Sequence, residues 1–158
     1  GYFVDGFPGA QFAHRAAVER LRDPGDEGLI RLVAAMDPAN PYGAALPAPA
    51  EGFARIPGAY LVLEGGTPVL HVEAGGRRLL PVNGLAGARL RAALATLPSL
   101  LRAPAPYRGR RLEVRLYGDE PAMRSPARDA LAEVGFEEAG DAMILWPSRA
   151  RGGGGAGL

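Results

Sequence analysis

Cysteine and lysine are both absent from this 158-residue chain, and each absence excludes several kinds of site. Without cysteine there can be no disulfide, thiolate zinc site, iron–sulfur cluster or cysteine nucleophile. Without lysine there is no Walker A phosphate-binding loop in these residues, and no lysine Schiff base. The only two histidines, His14 and His71, lie far apart in the sequence, which argues against a histidine-rich metal site.

Long hydrophobic runs are missing as well. No apolar stretch approaches the ~18 residues that a membrane-spanning helix needs, so we expect no membrane partner. No secretory leader is recognisable at the start of the sequence. The chain is 47% hydrophobic and 22% charged, a composition typical of a folded domain. Glycine (23 residues) and proline (15 residues) are abundant, which predicts short elements and many loops.

The spacing of apolar residues predicts an α+β fold, with a strand-rich sheet or small barrel covered by two helices. Gly65-Gly66 is typical of a tight β-hairpin turn. Asn83 is the expected N-cap of one helix. Ser125 is the expected N-cap of the next helix, which has Pro126 at its first position and is ended by Gly135. The predicted strands are 2–4, 29–35, 59–64, 68–73, 77–82, 112–117 and 142–146, and the predicted helices are 11–22, 83–97 and 125–134.

The net charge is only +1, but the charges are unevenly distributed. Residues 76–112, the basic segment, contain eight arginines and no acid. Guanidinium groups bind phosphate oxygens in pairs, and Tyr107 would add base stacking, so the segment predicts weakly sequence-specific binding to a nucleic-acid backbone. The alternative is a solvated face whose arginines pair with acids from the flanking segments. The predicted DNA-binding residues are Arg77, Arg78, Arg89, Arg91, Arg108, Arg110 and Arg111.

Catalytic residues are not identifiable from the sequence, although two acids are candidates. Asp37 begins a long loop, 37–57, that we expect to be either functional or poorly ordered. Asp37 can serve an active site there, but an Asx-type turn is the simpler role. Asp141 precedes an apolar, aromatic strand, a setting that can raise the pKa of a carboxyl group. The adjacent carboxylates at 26–27, 119–120 and 137–138 are more typical of solvated turns.

Three stretches together resemble the C-terminal region of the large helicase-related (Lhr) family of bacterial DNA helicases. The resemblance extends to about residue 147. The stretches are Gly-Phe-Pro-Gly-Ala-Gln-Phe-Ala at 6–13, Asp-Pro-Ala-Asn-Pro-Tyr-Gly at 37–43 followed by Leu46-Pro47, and Gly-Asp-Glu-Pro-Ala at 118–122 followed by Ser125-Pro126 and Gly135-Phe136.

The resemblance implies a domain organisation. Residues 1–24 would be the wing strand and closing helix of a winged-helix module, residues 25–148 a β-barrel-like C-terminal module, and residues 149–158 a disordered glycine-rich tail. The family's full chain is an ATP-dependent DNA helicase, so ATP and Mg²⁺ belong to the motor domains of the parent chain, and we expect no cofactor or metal in these residues. A cytoplasmic location follows from the same resemblance.

The function implied is that of an accessory DNA-interacting module of a DNA repair helicase, with DNA and the other helicase domains as partners. Two alternatives remain open. One is a structural or homo-oligomerisation module without DNA contact. The other is part of a uracil-DNA glycosylase-like region, for which the absence of lysine implies a water-using mechanism with a carboxylate base, Asp141 being the first candidate.

The sequence departs from the family pattern at two places. Ala48 stands where the family loop has a tryptophan after Leu-Pro, which weakens a stacking role for that loop. Tyr117-Gly118-Asp119 reverses the family's usual order of an acid followed by a glycine.

Overall fold

The computed structural model describes residues 12, 14–22, 28–50, 52–82, 84–102 and 111–148. The predicted strand 2–4 and the glycine-rich tail lie outside these ranges. No helix within them is both long and apolar enough to cross a membrane. The helices are α1 (Arg15–Arg22), α2 (Gly87–Leu94) and α3 (Arg128–Val134). The strands are β1 (Ile30–Ala34), β2 (Tyr60–Glu64), β3 (Thr67–Glu73), β4 (Arg78–Pro81), β5 (Leu112–Val114), β6 (Leu116–Tyr117), β7 (Glu120–Pro121), β8 (Glu137–Ala139) and β9 (Ala142–Leu145).

Two open sheets organise the described residues. The larger has six strands in the order β1-β2-β3-β4-β6-β7, and the smaller has the order β5-β9-β8. Strands β1 to β4 form an antiparallel meander, and the predicted hairpin is confirmed. Gly65 and Gly66 have φ angles of 53° and 87°, and two successive positive φ angles are what a type I′ turn requires. The mixed α+β class is confirmed, whereas the described strands form no closed barrel.

The predicted strand 112–117 is in fact two strands that belong to different sheets. β5 pairs with β9, and β6 pairs in parallel with β4. The chain changes sheets at Arg115, where the N–H groups of Arg115 and Leu116 both donate to the Arg77 carbonyl oxygen, at 2.9 and 3.1 Å. The alternating apolar pattern continues across this point, so it gave no sign of the break. β7 and β8 were not predicted, because they are two and three residues long and exposed.

All three helices begin later than predicted, and α1 begins at Arg15. The N-cap of α2 is Ala86, and the predicted cap, Asn83, lies outside the described residues. The helix α3 begins at Arg128 because Ser125 holds the preceding turn instead of capping the helix. Its Oγ donates to the Ala122 carbonyl at 2.8 Å and accepts the Ala127 N–H at 3.2 Å. The end of α3 at Val134, just before Gly135, is as predicted.

The main hydrophobic core lies between one face of the large sheet, the small sheet and the helices α2 and α3. Gly76 allows the two sheets to pack closely against each other. Its φ angle is +107°, and a Cβ there would lie 2.4 Å from the Cδ1 of Leu112, so only glycine allows this packing. Core residues from the large sheet are Val62, Leu70, Val72 and Leu79, those from the helices are Leu90, Leu94 and Leu131, and those from the small sheet are Leu112, Val114, Met143 and Leu145.

The long loop between β1 and β2 covers the opposite face of the large sheet. Phe53 packs edge-on against the buried His71, with ring centroids 4.9 Å apart. Asn40 is only 2% exposed; its Nδ2 donates to the Ala35 carbonyl at 2.9 Å, and its Oδ1 accepts the Tyr42 N–H at 3.1 Å. Specific contacts therefore hold the loop in the fold, and it is not the poorly ordered segment that its length had suggested as one possibility.

Arg55 fixes the same loop from its far end. Its Nη1 donates to the carbonyl oxygens of Asn40 (2.6 Å) and Tyr42 (3.2 Å), and its Nη2 donates to that of Asp37 (3.2 Å). One guanidinium thus donates hydrogen bonds to three backbone carbonyl oxygens that take no part in strand pairing. The Asp-Pro-Ala-Asn-Pro-Tyr-Gly motif therefore has a structural explanation in its own hydrogen bonds.

Replacing Asn40 with alanine tests this explanation. The change leaves the Ala35 carbonyl and the Tyr42 N–H without their partner, so we expect unfolding free energy to fall by about 2–3 kcal/mol. Urea unfolding followed by circular dichroism measures the change. Asp37→Ala is the control, because it removes one exposed hydrogen bond to the Ala39 N–H. An Asn40→Ala variant no less stable than that control would contradict the structural role.

His71 makes stability dependent on pH. It is 1% exposed, and neither ring nitrogen has a hydrogen-bond partner within the described ranges. Burial lowers the pKa of His71 below its ordinary 6.5, with Arg78 acting in the same direction and Glu73 opposing. The unfolded chain therefore takes up the proton first, and stability falls as pH drops below about 6.5, by at most about 1.4 kcal/mol per pH unit.

Urea unfolding of the chain and of His71→Phe, between pH 8 and pH 5, measures this dependence. We expect the variant to lose less stability than the parent as the pH falls. Parallel curves for the two proteins would show that His71 does not take part.

Candidate nucleic-acid interface

The structure distributes the predicted DNA-binding arginines over three elements. Arg77 directly precedes β4 and Arg78 begins it. Arg89 and Arg91 lie on α2, and Arg111 directly precedes β5. The two remaining arginines of the prediction, Arg108 and Arg110, lie outside the described residues, as does Tyr107.

Four of these five described arginines pair with acids from the flanking segments, as the alternative interpretation anticipated. Arg78 donates to Asp119 at 2.6 Å and to the Gly118 carbonyl at 3.2 Å. The Nε of Arg89 donates to Glu64 at 2.8 Å, and this bond raises the pKa of Arg89. Arg91 lies 3.7 Å from Glu133 and so links α2 to α3. These ion pairs are exposed, so the arginines can exchange them for other anions at little cost.

A second group of charges lies on the outer face of the small sheet. Glu113, whose side chain is 10% exposed, accepts hydrogen bonds from Arg111 (3.2 Å) and from the Nε of Arg115. Arg115 also donates to Asp141 at 2.8 Å. The hydrogen bond from Arg115 is the main cause of a lowered pKa at Glu113, and the charges of Arg115 and Arg111 contribute, so this carboxylate stays ionised.

Trp146, which directly follows β9, is the last member of this group. Leu112 pairs with Leu145 across the small sheet, which places Arg111 opposite Trp146. The Arg111 guanidinium carbon lies 5.7 Å from the centroid of the Trp146 ring, within the range of a cation–π contact. Sequence reasoning missed both Arg115 and Trp146 as site residues, since each was interpreted as part of an alternating or apolar strand.

Arg77 joins the two groups through its backbone. Its carbonyl holds the N–H groups of Arg115 and Leu116, while its side chain is exposed. Within the described ranges, the guanidinium of Arg77 forms no ion pair with a carboxylate. We call Arg77, Arg78, Arg111 and Arg115 the junction arginines, because all four lie where the two sheets meet.

The junction arginines can bind phosphate oxygens. A guanidinium carries five N–H donors, and the ion pairs described above occupy only some of them. The shared carboxylate of Glu113 holds two guanidinium groups in place, which reduces the side-chain entropy lost when an anion binds. The same arrangement offers no nucleophile and no general base in an enclosed site.

Asp37 has the simpler role that was predicted for it, an Asx-type turn, whereas Asp141 does not have its predicted setting. Asp37 makes an Asx turn, its Oδ1 accepting the Ala39 N–H at 2.8 Å. The Asp141 side chain is 77% exposed and ion-paired with Arg115, so the isolated acid in apolar surroundings was a wrong interpretation. Across the described residues, no three potential ligands among histidine and the acidic residues gather as a metal site would require.

A shallow apolar groove of about 300 Å³ lies beside the long loop. Tyr42 borders it and donates from its hydroxyl to the Gly66 carbonyl at 2.9 Å, and burial raises the pKa of this tyrosine. Ala48, the position where the resembling family has tryptophan, is part of the lining. The described lining of the groove has no carboxylate, histidine or arginine, and Tyr42 is its one ionisable side chain.

Comparisons with known proteins agree with the sequence resemblance. Residues 1–29 match the model of a winged-helix domain of large helicase-related proteins. The chain is 43% identical over 114 residues, 65% of its length, to an "Lhr helicase/probable uracil glycosylase" of Mycolicibacterium smegmatis. It is 32% identical over 146 residues, 86% of its length, to an "Lhr helicase/uracil glycosylase" of Escherichia coli. These stretches cover 8% and 9% of the two relatives.

The winged-helix match at the start and the two matches over most of the chain point to one family. The chain therefore belongs to the large helicase-related (Lhr) family.

Proposed function

We propose that this chain is an accessory DNA-contacting region of an Lhr helicase, and that its basic segment contacts the phosphate backbone. The observation that carries the proposal is the junction of the two sheets. There, arginines from separate parts of the chain lie together, and the guanidinium of Arg77 is exposed and without a carboxylate partner in the described ranges.

The proposed contact begins with Arg77 and continues along Arg111 and Arg115. Glu113 accepts hydrogen bonds from both Arg111 and Arg115, so the fold fixes the orientation of their remaining N–H donors before a ligand binds. Arg78 adds a fourth cation; it lies 3.7 Å from Glu73, and its other partner, Asp119, is almost fully exposed and readily displaced. Because these contacts reach phosphates and not base edges, binding would depend steeply on salt and weakly on sequence.

The remaining arginines of the basic segment have a secondary place in this proposal. Arg89 and Arg91 link α2 to β2 and to α3, so their first role is within the fold. Arg108 and Arg110 remain part of the proposed DNA-binding set on the strength of the sequence alone. ATP and Mg²⁺ have no place in these residues, and we assign them to the motor domains of the helicase.

A docking role between protein domains is the second candidate. Leu29, Met36 and Ile56 are large apolar side chains, 43–55% exposed, around the first strand and the long loop. Such residues are typical of a surface that another domain or a second copy covers. This candidate predicts assembly that depends on protein concentration and no measurable DNA affinity.

Uracil glycosylase activity, which appears in the names of both relatives, is a third hypothesis. The settings of Asp37 and Asp141 give it no catalytic acid. It therefore remains a prediction from the family, without a residue to carry it.

Charge reversal at Arg77 tests the proposed function. We expect Arg77→Glu to weaken binding to labelled DNA roughly tenfold at low salt, and to reduce the slope of log affinity against log salt by about one. Fluorescence anisotropy across a salt series measures both quantities. Arg31→Glu is the matched control, because it makes the same charge change on an exposed residue of β1, at the opposite end of the large sheet.

Equal losses in the two variants would mean that net charge alone governs binding, and would contradict a site at the junction. No binding by the folded parent chain at low salt would overturn the proposal in favour of the docking role.

A further inference from the structure

Trp146 is exposed at a position where packing does not require a large aromatic ring. Its neighbour Leu145 is fully buried in the core, whereas Trp146 is 40% exposed and lies outside the core cluster. It is the one tryptophan of the chain. A large exposed ring beside two arginines is typical of a base-stacking site. The aromatic face can stack on an unpaired base, and the guanidinium groups can bind its phosphates.

The cations beside the ring are held in fixed positions. Arg111 lies over the ring at 5.7 Å and donates to Glu113 through one of its terminal nitrogens. Arg115 donates to Glu113 through Nε and to Asp141 through Nη1. The Nε and Nη1 of Arg111 and the Nη2 of Arg115 make no hydrogen bond with another described residue. These donors remain to bind an anion next to the ring.

We propose that Trp146, Arg111 and Arg115 form a binding site for single-stranded nucleic acid, in which Trp146 stacks on an unpaired base. This inference rests on the proposed DNA contact and names the form of nucleic acid that the site takes. A base within a duplex is already stacked on both faces, so the flat face of the ring would gain a partner only from an unpaired base. Arg111 and Arg115 would hold the phosphates on either side of that base.

The site differs from a protein-docking surface in its charge. Arg111 lies over the ring, Arg115 shares the Glu113 carboxylate with it, and that carboxylate is mostly covered. An aromatic residue bordered by cations complements a polyanion that also carries flat bases. An apolar protein partner would instead bury these guanidinium groups away from water at a cost.

The single tryptophan allows a direct experiment on the 158-residue chain. Its fluorescence, excited selectively over tyrosine, is recorded during titration with a dT oligonucleotide and with an abasic oligonucleotide of the same length. Both carry the same phosphates, but only the first has bases. We expect the dT oligonucleotide to quench Trp146 and to bind roughly five- to a hundredfold more tightly, which is the range of one stacked base.

Substitutions separate stacking from folding. Trp146→Ala is expected to bind the dT and abasic oligonucleotides with equal affinity, near the abasic value of the parent chain. Trp146→Phe keeps an aromatic face and should retain most of the preference for bases. Met36→Ala, which removes another exposed apolar side chain, is the matched control and should change neither affinity.

The outcomes distinguish this inference from the proposed function. Binding of both oligonucleotides with equal affinity, and without quenching, would overturn the stacking site while leaving the backbone contact in place. No binding of either oligonucleotide by the folded parent chain would overturn both. The titration of the parent chain needs no variant, so the test stands even if Trp146→Ala fails to fold.

Discussion

The carbonyl oxygen of Arg77 accepts two backbone N–H groups, those of Arg115 and Leu116, and the rest of the candidate interface depends on this contact. It marks the point where the chain passes from the small sheet to the large one, so it fixes the sheets against each other. Gly76, one residue earlier, permits the approach because any side chain there would collide with Leu112. The same contact places Arg77, whose side chain is exposed, next to the segment that carries Arg115, and so couples the fold to the site.

Much of the fold could be predicted from local signals in the sequence. The hairpin at Gly65-Gly66 and the end of α3 at Gly135 follow from backbone conformations that glycine adopts at low cost. The break at Arg115 could not be predicted, because alternation along a strand shows which residues are buried and not which sheet they join. Ser125 illustrates a related limit. A serine before a proline fits a helix cap, but here the same hydroxyl serves a preceding turn.

The candidate site was partly predictable for a similar reason. A run of arginines without acids indicates an affinity for phosphate, but it does not show which arginines the fold pairs with distant acids. Arg89 and Arg91 are linked to Glu64 and Glu133, which are remote in sequence. Trp146 and Arg115 are brought to the site by the pairing of β5 with β9, which only the topology reveals. The Asp-Pro-Ala-Asn-Pro-Tyr-Gly loop shows the opposite case, where a distinctive motif serves the structure.

Because every basic side chain other than the two histidines is arginine, one reagent can map nearly the whole cationic surface. The most direct measurement is therefore modification of the chain by phenylglyoxal, with and without single-stranded DNA, followed by peptide mass spectrometry. A DNA contact at the sheet junction predicts that DNA protects Arg77, Arg111 and Arg115 while Arg31 reacts equally in both samples. Protection spread evenly over all arginines, or absent at the junction when DNA is bound, would contradict it.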